Sequence, residues 1–497
     1  MRERGLPQQD NDRRRLREHV QGDQGLRRLR LRGPVVQLWR RHLLAEVALR
    51  PQADPGLPCR RSGEGLADIP SKYALNVSAS STPLVAYPRP QMVRGAGSTS
   101  ALREVGDPAV WTNLNGLWEW EATTGDTAGR WTGAPPFGKT LSGSILVPFP
   151  VESCLSGVAP NSSRAIVKSM WYRLKFDAQG AGGHATLLHF GAVDWKSTVF
   201  LNGKEIGNNT GGYNGFDFDI SSEVKASGNE LLVYVFDPSD SGKQPNGKQR
   251  ISAIDNPGGD TYTPSSGIWQ TVWLEEAPAH YIKNLKIDQA STTAVSVTVE
   301  GSGAGSAPVT FTVMDGGKSV ATASGTTGTK LSISIPSPKL WSTTSPHLYD
   351  LQVKMGTDTV TSYFGLRTFE LGDGPKGKRP LLNGKFTFAA GFLDQSWWPD
   401  GQYTAPTDEG LAYDVEAVPM FGLNMIRLHQ KVNPEVSMIL SLPPRLACLV
   451  YSPSAETETV TVGVGGDIAR THAALVLSCR PSGRAHFLGH GAKVRRR

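Results

Sequence analysis

The chain has 497 residues, including 55 Gly and 34 Pro, and a formal net charge of +7. This length allows about three domains, and many short alternating segments between turn residues favour β-sandwich modules over helical bundles. The sequence holds no apolar run of about 18 residues, so we expect no transmembrane helix.

The positive charge is concentrated at the two ends. Residues 1–61 hold 15 Arg, no Lys and 7 acidic residues (+8), residues 437–497 carry +5, and the middle is left with −6. A basic arm can bind nucleic acid or an anionic membrane. Arg without Lys, beside Pro, Gly and Gln and without amphipathic periodicity, instead favours segments that bury too little apolar surface to fold. We therefore expect residues 1–75 to be disordered or mis-translated, residues 437–497 to be a non-native or disordered tail, and neither nucleic acid nor a membrane to be a partner.

Cysteine usage indicates neither a metal site nor a disulfide framework. Four cysteines are present: Cys59, Cys154, Cys448 and Cys479. They show no CxxC or His-rich spacing, so we expect no bound metal and a single thiol, Cys154, in the body of the chain.

Three Asn-x-Ser/Thr acceptor patterns bear on localisation. They lie at Asn76, Asn161 and Asn208. They favour an extracellular protein, although no signal peptide is visible at Met1.

The first alternating segments predict a jelly roll over residues 84–277. The predicted strands are 114–120, 145–150, 170–176, 184–190, 197–201, 216–220, 230–236 and 268–274. Asn202-Gly203 supplies the positive φ angles of a tight hairpin turn.

A second set of short strands predicts an immunoglobulin-like sandwich over residues 278–371. The strands are 282–287, 295–299, 309–313, 330–335, 349–353 and 360–363, with 364–369 as the exit strand. Residues 372–380 have the composition of a loop.

Residues 381–436 have the pattern of an α/β barrel that has only begun. A strand at 386–392, a helical stretch and a second strand at 423–428 form one strand-helix-strand unit. A barrel needs about eight such units and about 250 residues. The fold class is therefore mainly β: a jelly roll and a sandwich, followed by an incomplete (β/α)8 barrel.

Several motifs in this order resemble the glycoside hydrolase family 2 enzymes, which include β-galactosidases, β-glucuronidases and β-mannosidases. The motifs are GAVDW (191–195), VFLNGKEIG (199–207), GGY (211–213), SGIWQTVWLE (266–275), LWS (340–342), PHLY (346–349), FGLR (364–367), LNGK (382–385) and GLNMIR (422–427), the last followed by His429. The resemblance covers residues 84–436. It implies retaining hydrolysis of a terminal β-linked sugar without a cofactor.

The barrel segment carries the candidate substrate-binding residues. Asp394, Trp397 and Trp398 follow the first barrel strand, and Arg427 and His429 end the second. Barrel active sites lie at the carboxyl ends of the strands, where Asp and Arg can fix sugar hydroxyls and Trp can form an apolar platform. The alternative is a structural salt bridge from Arg427 and a packed Trp pair. For Trp195, Trp269 and Trp273 in the jelly roll, a core role is favoured over sugar stacking.

The catalytic carboxylates that the resemblance implies are missing. Retention needs two carboxyl groups about 5–5.5 Å apart, and in the resembled family both are Glu, on the fourth and seventh barrel strands, the first after an Asn. The one Asn-Glu pair, Asn229-Glu230, falls in a jelly-roll strand. The acids after Glu435 are Glu456, Glu458 and Asp467, in a stretch without a barrel motif. We assign no catalytic residue.

The sequence thus predicts a β-galactosidase-type hydrolase by descent that is itself inactive. A non-catalytic carbohydrate-binding β-sandwich protein is the first alternative. A nucleic-acid binder acting through the Arg-rich ends is the second.

Overall fold

The computed structural model describes residues 70–94, 111–123, 131, 133–158, 167–178, 184–242, 244–254, 256, 258–289, 291–303, 305–375, 377–395, 397–429, 433–436, 449–453 and 460–464. The predictions for residues 1–69 and for most of 437–497 lie outside this part of the chain. Residues 74–76 form a 3-10 helix in which Ala74 is buried.

Residues 111–278 form two antiparallel sheets around a shared core. With the lead-in strand β1 (Val93–Arg94), the strands are β2 (Trp111–Asn113), β3 (Gly116–Ala122), β4 (Gly143–Val147), β5 (Ser169–Phe176), β6 (His184–Phe190), β7 (Val193–Asp194), β8 (Lys196–Leu201), β9 (Lys204–Thr210), β10 (Phe216–Asp219), β11 (Asn229–Phe236), β12 (Gly267–Ile268) and β13 (Val272–Pro278). One sheet has the order β4-β3-β5-β11-β8-β9, the other β10-β6-β13-β2, and β7 pairs with β12. Two short 3-10 helices, Cys154–Ser156 and Ile251–Ala253, lie in the connections.

Strand β11 shows why the central strands are apolar almost throughout. It lies between β5 and β8, and its alternate residues pack on two different clusters. Val233 faces the core between the sheets, whereas Tyr234 packs with Trp171 on the other face. Because both faces are covered, the polar-apolar alternation of a half-exposed strand is lost.

The turn predicted at Asn202-Gly203 is confirmed. Asn202 has a φ of 49° and Gly203 a φ of 96°, and they join β8 to β9 in an antiparallel hairpin with Leu201 opposite Lys204. Both angles lie in the left-handed region that Asn and Gly tolerate best.

Residues 282–364 form the second sandwich. Its strands are β14 (Ile282–Gln289), β15 (Ala294–Gly301), β16 (Pro308–Asp315), β17 (Lys318–Thr326), β18 (Leu331–Ser334), β19 (Tyr349–Met355) and β20 (Asp358–Phe364). One sheet has the order β1-β20-β19-β16-β17 and the other β14-β15-β18, with Val297, Phe311 and Leu351 in the core between them.

The prediction of a loop at 372–380 is wrong. Residues 369–386 form a three-stranded antiparallel sheet of β21 (Phe369–Gly374), β22 (Gly377–Leu382) and β23 (Lys385–Phe386). Residues 364–369 are not one exit strand, because β20 ends at Phe364 and β21 begins at Phe369. The Gly, Lys and Pro residues of this segment have a low preference for strands, and the prediction of a loop rested on that composition. The strands form nevertheless, because their pairing depends on the opposite strand rather than on local preference.

The barrel segment contains β24 (Gly391–Asp394), the helix α1 (Asp408–Met420) and β25 (Met425–Leu428). Thr407 caps α1 by accepting a hydrogen bond from Gly410 N at 3.2 Å. The helix packs on β25 through a small cluster with Val418, Ile426 and Leu428. The strand predicted at 386–392 is divided between β23 and β24.

The barrel segment belongs to a four-stranded sheet, in which β24, β25 and β26 (Leu449–Pro453) are parallel and β27 (Val460–Val464) is antiparallel. Large apolar side chains stay exposed on the barrel segment, including Phe388 at 73%, Met420 at 62% and Phe421 at 58%. A complete barrel is a closed parallel sheet, and the four strands in the described part of the chain do not close on themselves.

Cys154 is disulfide-bonded, which corrects the expectation of a free thiol in the body of the chain. Cys154 is buried and is the first residue of the 3-10 helix Cys154–Ser156. The other three cysteines lie outside the described residues. No helix in the described part of the chain combines the length and apolar character that a membrane crossing requires.

Candidate functional site

The candidate site begins where the first two parallel strands end. Asp394 is the last residue of β24 and lies opposite Leu428 of β25. One residue further on, the backbone N–H of His429 donates to the carbonyl oxygen of Asp394 at 2.9 Å. This is the carboxyl edge of the parallel strands, where barrel enzymes place their active sites.

The loop after β24 supplies an aromatic wall. The ring of Trp397 stacks on Tyr262 of the jelly roll, with centroids 4.8 Å apart and an 18° interplanar angle, and meets Tyr403 edge-on at 4.6 Å. Trp398 exchanges two backbone hydrogen bonds with Gln402 and meets the ring of Tyr73 edge-on at 6.0 Å. The two tryptophans are therefore held by separate contacts and do not form a packed pair.

The same loop is fastened to the jelly roll by hydrogen bonds. Thr404 Oγ1 donates to the carbonyl oxygen of Trp269 at 2.6 Å, and Ser153 Oγ donates to that of Asp400 at 2.6 Å. The carboxylate of Asp400 accepts the backbone N–H of Ser71 at 2.6 Å. The jelly roll thus sets the position of the aromatic wall.

These elements line an open surface pocket of about 530 Å³, which we call the strand-end cavity. It is lined by Tyr262, Phe392, Leu393, Asp394, Gln395, Trp397, Trp398, Pro399 and Asp414. Three of the five predicted binding residues are brought together here. Tyr262, Gln395 and Asp414 were not predicted from the sequence. No sequence signal indicated Tyr262, because it lies 135 residues before Trp397 and only the fold brings the two rings together.

Arg427 and His429 do not line the strand-end cavity. Arg427 lies opposite Leu393 in the strand register and its side chain is exposed. Because successive side chains of a strand point to opposite faces of the sheet, Arg427 lies on the other face from the buried Leu428. Burial, together with the positive charges of Arg427 and Lys248, lowers the pKa of His429. His429 is therefore neutral at neutral pH. A substrate-binding role for both residues stays a prediction.

The core role predicted for the jelly-roll tryptophans is confirmed for two of them. Trp269 is fully buried and its Nε1 donates to the carbonyl oxygen of Gly212 at 2.7 Å. Trp273 is 3% exposed and stacks on His189 at 4.7 Å. Trp195 is only half-buried, with Lys196 Nζ 4.8 Å from its ring centroid.

The Asn-Glu pair of the jelly roll is structural. Glu230 forms an ion pair with Arg173 at 2.6 Å and accepts the backbone N–H of Gly138 at 3.0 Å. Asn229 is fully buried and its Nδ2 donates to the carbonyl oxygen of Lys225 at 2.6 Å. Both residues make their contacts within the jelly roll, and they lie far in the sequence from strands β24 and β25.

The strand-end cavity combines carboxylates with aromatic rings. Asp394 and Asp414 offer carboxylate acceptors for hydroxyl groups, and the Trp397–Tyr262 stack offers an aromatic face. Within the described part of the chain, no cluster of three His, Cys, Asp or Glu is arranged to hold a metal ion.

Comparison with known proteins agrees with the architecture. Residues 139–278 match the family described as glycosyl hydrolases family 2, sugar binding domain, and residues 280–367 match glycosyl hydrolases family 2. A putative β-glucuronidase of Formosa agariphila is 27% identical over 270 residues, which are 50% of this chain and 30% of that protein. A β-galactosidase of Thermoanaerobacter pseudethanolicus is 26% identical over 225 residues, 41% of this chain and 29% of that one.

Solved structures show the same fold. A Ruminococcus gnavus β-glucuronidase superposes with a TM-score of 0.56 at 20% identity, covering 69% of this chain and 57% of the other. For a Faecalibacterium prausnitzii β-glucuronidase the TM-score is 0.54 at 24% identity, covering 69% and 59%. The chain thus spans less than a third of the length of these two curated relatives and under two thirds of the two solved structures.

Proposed function

We propose, since the chain belongs to glycosyl hydrolases family 2, that it represents the substrate-binding part of a β-galactosidase-type retaining hydrolase of terminal β-linked sugars. The observation that carries this proposal is the strand-end cavity, where Asp394 and the Trp397–Tyr262 stack meet at the carboxyl edge of parallel strands. The named relatives, a β-glucuronidase and a β-galactosidase, support a pyranoside as ligand.

We propose further that the 497-residue chain binds sugar without hydrolysing it. Retaining hydrolysis needs an acid and a nucleophile on two carboxyl groups about 5–5.5 Å apart, which the family takes from two Glu. The one Asn-Glu pair of the chain, Asn229-Glu230, lies in the jelly roll, and the acidic residues after Glu435 are Glu456, Glu458 and Asp467, in a stretch without a barrel motif. If binding is found without turnover, the chain is a non-catalytic carbohydrate-binding protein.

The change that tests the cavity is Trp397→Ala. Loss of the stacked indole removes an aromatic contact of about 0.5–1.5 kcal/mol beyond its buried area. We expect methyl β-D-galactoside or methyl β-D-glucuronide to bind the native chain and to bind about two- to tenfold more weakly to this variant in calorimetric titration. Trp195→Ala, a half-buried tryptophan outside the cavity, is the matched control and should bind like the native chain. Equal affinity in Trp397→Ala and the native chain would contradict the assignment.

Turnover is measured on the same preparations with aryl β-galactosides and β-glucuronides. We expect none above buffer. Turnover that persists through purification and disappears in Asp394→Asn, prepared in parallel, would overturn the proposed inactivity while supporting the proposed site.

We also propose that the protein is extracellular. Asn76 and Asn208 are both exposed in acceptor patterns, and disulfides such as that of Cys154 persist in oxidising compartments. Asn161 lies outside the described residues. We expect an antibody to find the protein in the medium of the source cells, with its mass lowered by an N-glycosidase. Unglycosylated protein confined to the cell lysate would contradict this.

A further inference from the structure

A second cavity lies where the lead-in segment, the jelly roll, the sandwich and the barrel segment meet. We call it the junction cavity; its volume is about 380 Å³, within the range of about 300–1,000 Å³ typical of small-molecule sites. It shares no lining residue with the strand-end cavity. Trp273 from the jelly roll and Lys283 from the sandwich line it, and Asp408 and Asn433 line it from the barrel segment.

Five side chains that line the junction cavity carry polar atoms without a partner. Within the described part of the chain, the buried atoms that make no hydrogen bond are Arg89 Nε, Tyr213 Oη, Trp273 Nε1, Asp408 Oδ1 and Asn433 Oδ1. Trp273 as a whole is 3% exposed. A buried unsatisfied group costs about 1–3 kcal/mol, and such groups are rare in folded proteins unless water or a ligand completes them. Two N–H donors, two acceptors and one hydroxyl that can do either therefore call for a molecule that both accepts and donates hydrogen bonds.

The charges of the lining select against anions. Among the described lining residues, four carboxylate side chains, Asp217, Glu300, Asp408 and Glu435, face two cations, Arg89 and Lys283. Arg89 lies 3.5 Å from Glu275, and Lys283 lies 3.8 Å from Glu300.

The remaining lining favours a compact neutral guest. Burial raises the pKa of Asp408 to about 6, so this group can donate as well as accept a hydrogen bond in mildly acidic solution. Ala86 and Leu411 add apolar surface. Hydroxyl groups meet these requirements best, because each one donates and accepts without carrying charge.

We infer that the junction cavity binds a small neutral polyhydroxylated molecule, a free monosaccharide or polyol, at a site separate from the strand-end cavity. This inference does not rest on the proposed function. The occupant would hydrogen-bond to Trp273, Asp408 and Asn433, and would join the barrel segment to both sandwiches.

The test uses the full chain carrying Trp397→Ala, which weakens binding at the strand-end cavity only. D-Galactose, D-glucose, glycerol and sodium D-glucuronate are titrated by calorimetry and by ligand-observed NMR. We expect at least one neutral probe to bind, and D-glucuronate to bind at least tenfold more weakly than D-glucose. Adding Trp273→Phe, which keeps a stacked ring on His189 but removes Nε1, or Asn433→Leu should weaken the neutral probe at least tenfold.

Two outcomes overturn the inference. If no probe binds in the Trp397→Ala background, the cavity holds water only. If a probe binds equally well with and without Trp273→Phe and Asn433→Leu, its site lies elsewhere. Thermal unfolding of each variant checks that the fold is retained, so that a weakened affinity is not mistaken for unfolding.

Discussion

Replacing Glu275 by Ala is expected to lower the free energy of unfolding of the jelly roll by about 3–5 kcal/mol, the cost of breaking a buried ion pair. Glu275 is fully buried in β13 and accepts a hydrogen bond from the hydroxyl of Tyr87. Arg89 lies 3.5 Å from its Oε2 and His189 3.4 Å from the same oxygen. Removal of the carboxylate would leave Arg89, which is 4% exposed, without its counter-ion.

The neighbouring residue provides the control for this substitution. Glu276 is half-buried and its oxygens accept hydrogen bonds from the hydroxyl of Thr186 at 2.9 and 3.2 Å. Glu276→Ala should cost only about 0.5–1.5 kcal/mol, the net value of an ordinary hydrogen bond. Urea unfolding followed by tryptophan fluorescence measures both variants. Similar losses at the two positions would show that the buried charge at Glu275 is not a principal source of stability.

The pH dependence of Glu275 has a definite sign. Burial alone would raise its pKa, but the charge of Arg89 and the nearby His189, whose Nε2 lies 3.4 Å from Oε2, outweigh burial, and the pKa is lowered. The stability it contributes is therefore present above the unfolded-state pKa of about 4.3 and is lost as the pH falls below it. The Glu275→Ala variant should lack this part of the acid sensitivity.

The sequence predicted strands well where the segment itself carries an alternating pattern or an apolar run. The strand predicted at 184–190 coincides with β6, and the turn at Asn202-Gly203 with the hairpin. Strand β17 was missed because its sequence, KSVATASGT, is small and half-exposed at a sheet edge. Its pairing is set by β16, not by its own side chains.

The candidate site was only half visible in the sequence for a related reason. Asp394, Trp397 and Trp398 could be predicted because they follow a recognisable barrel strand, and the carboxyl edge of such a strand has a general meaning. Tyr262 and the hydrogen bonds from Ser153 and Ser71 come from distant parts of the chain. Only the folded arrangement reveals that the jelly roll forms one wall of the cavity.

Three carboxyl groups in the jelly roll, of which Asp194 and Asp237 are buried and Glu152 is half-buried, were equally hidden, because they lie far apart in the sequence. Asp194 accepts from Gln249 Nε2 at 2.9 Å, and Asp237 accepts from Ser266 Oγ at 2.6 Å. Glu152 accepts the backbone N–H of Ser266 at 2.8 Å. Burial and the neighbouring carboxylates raise the pKa of Asp194, and burial raises that of Asp237. Burial raises the pKa of Glu152 to about 7, with a further contribution from Asp237.

These raised pKa values predict that the jelly roll loses stability as the pH rises from about 4 to about 7. In that window the folded state still holds protons that the unfolded chain, with carboxyl pKa values of about 4, has released. For Glu152, a rise to about 7 corresponds to at most about 3 kcal/mol, and solvent near this incompletely buried residue reduces the value. Glu152→Gln should therefore stabilise the protein at pH 7.5, by roughly 1–3 kcal/mol, and change little at pH 4.5.

The three carboxyl groups and Glu275 limit the stability of the jelly roll at opposite ends of the pH range. Loss of the Glu275 charge destabilises it below pH of about 4, and ionisation of Glu152, Asp194 and Asp237 destabilises it towards neutrality, so stability should peak near pH 4–5. Unfolding midpoints from pH 3.5 to 8 test this. Glu152→Gln should flatten only the neutral side of the profile and Glu275→Ala only the acid side. Glu205→Gln, on the exposed edge strand β9, should alter neither. A native profile that is flat from pH 4.5 to 7.5 would mean that the three carboxyl groups are ionised in the folded state without cost.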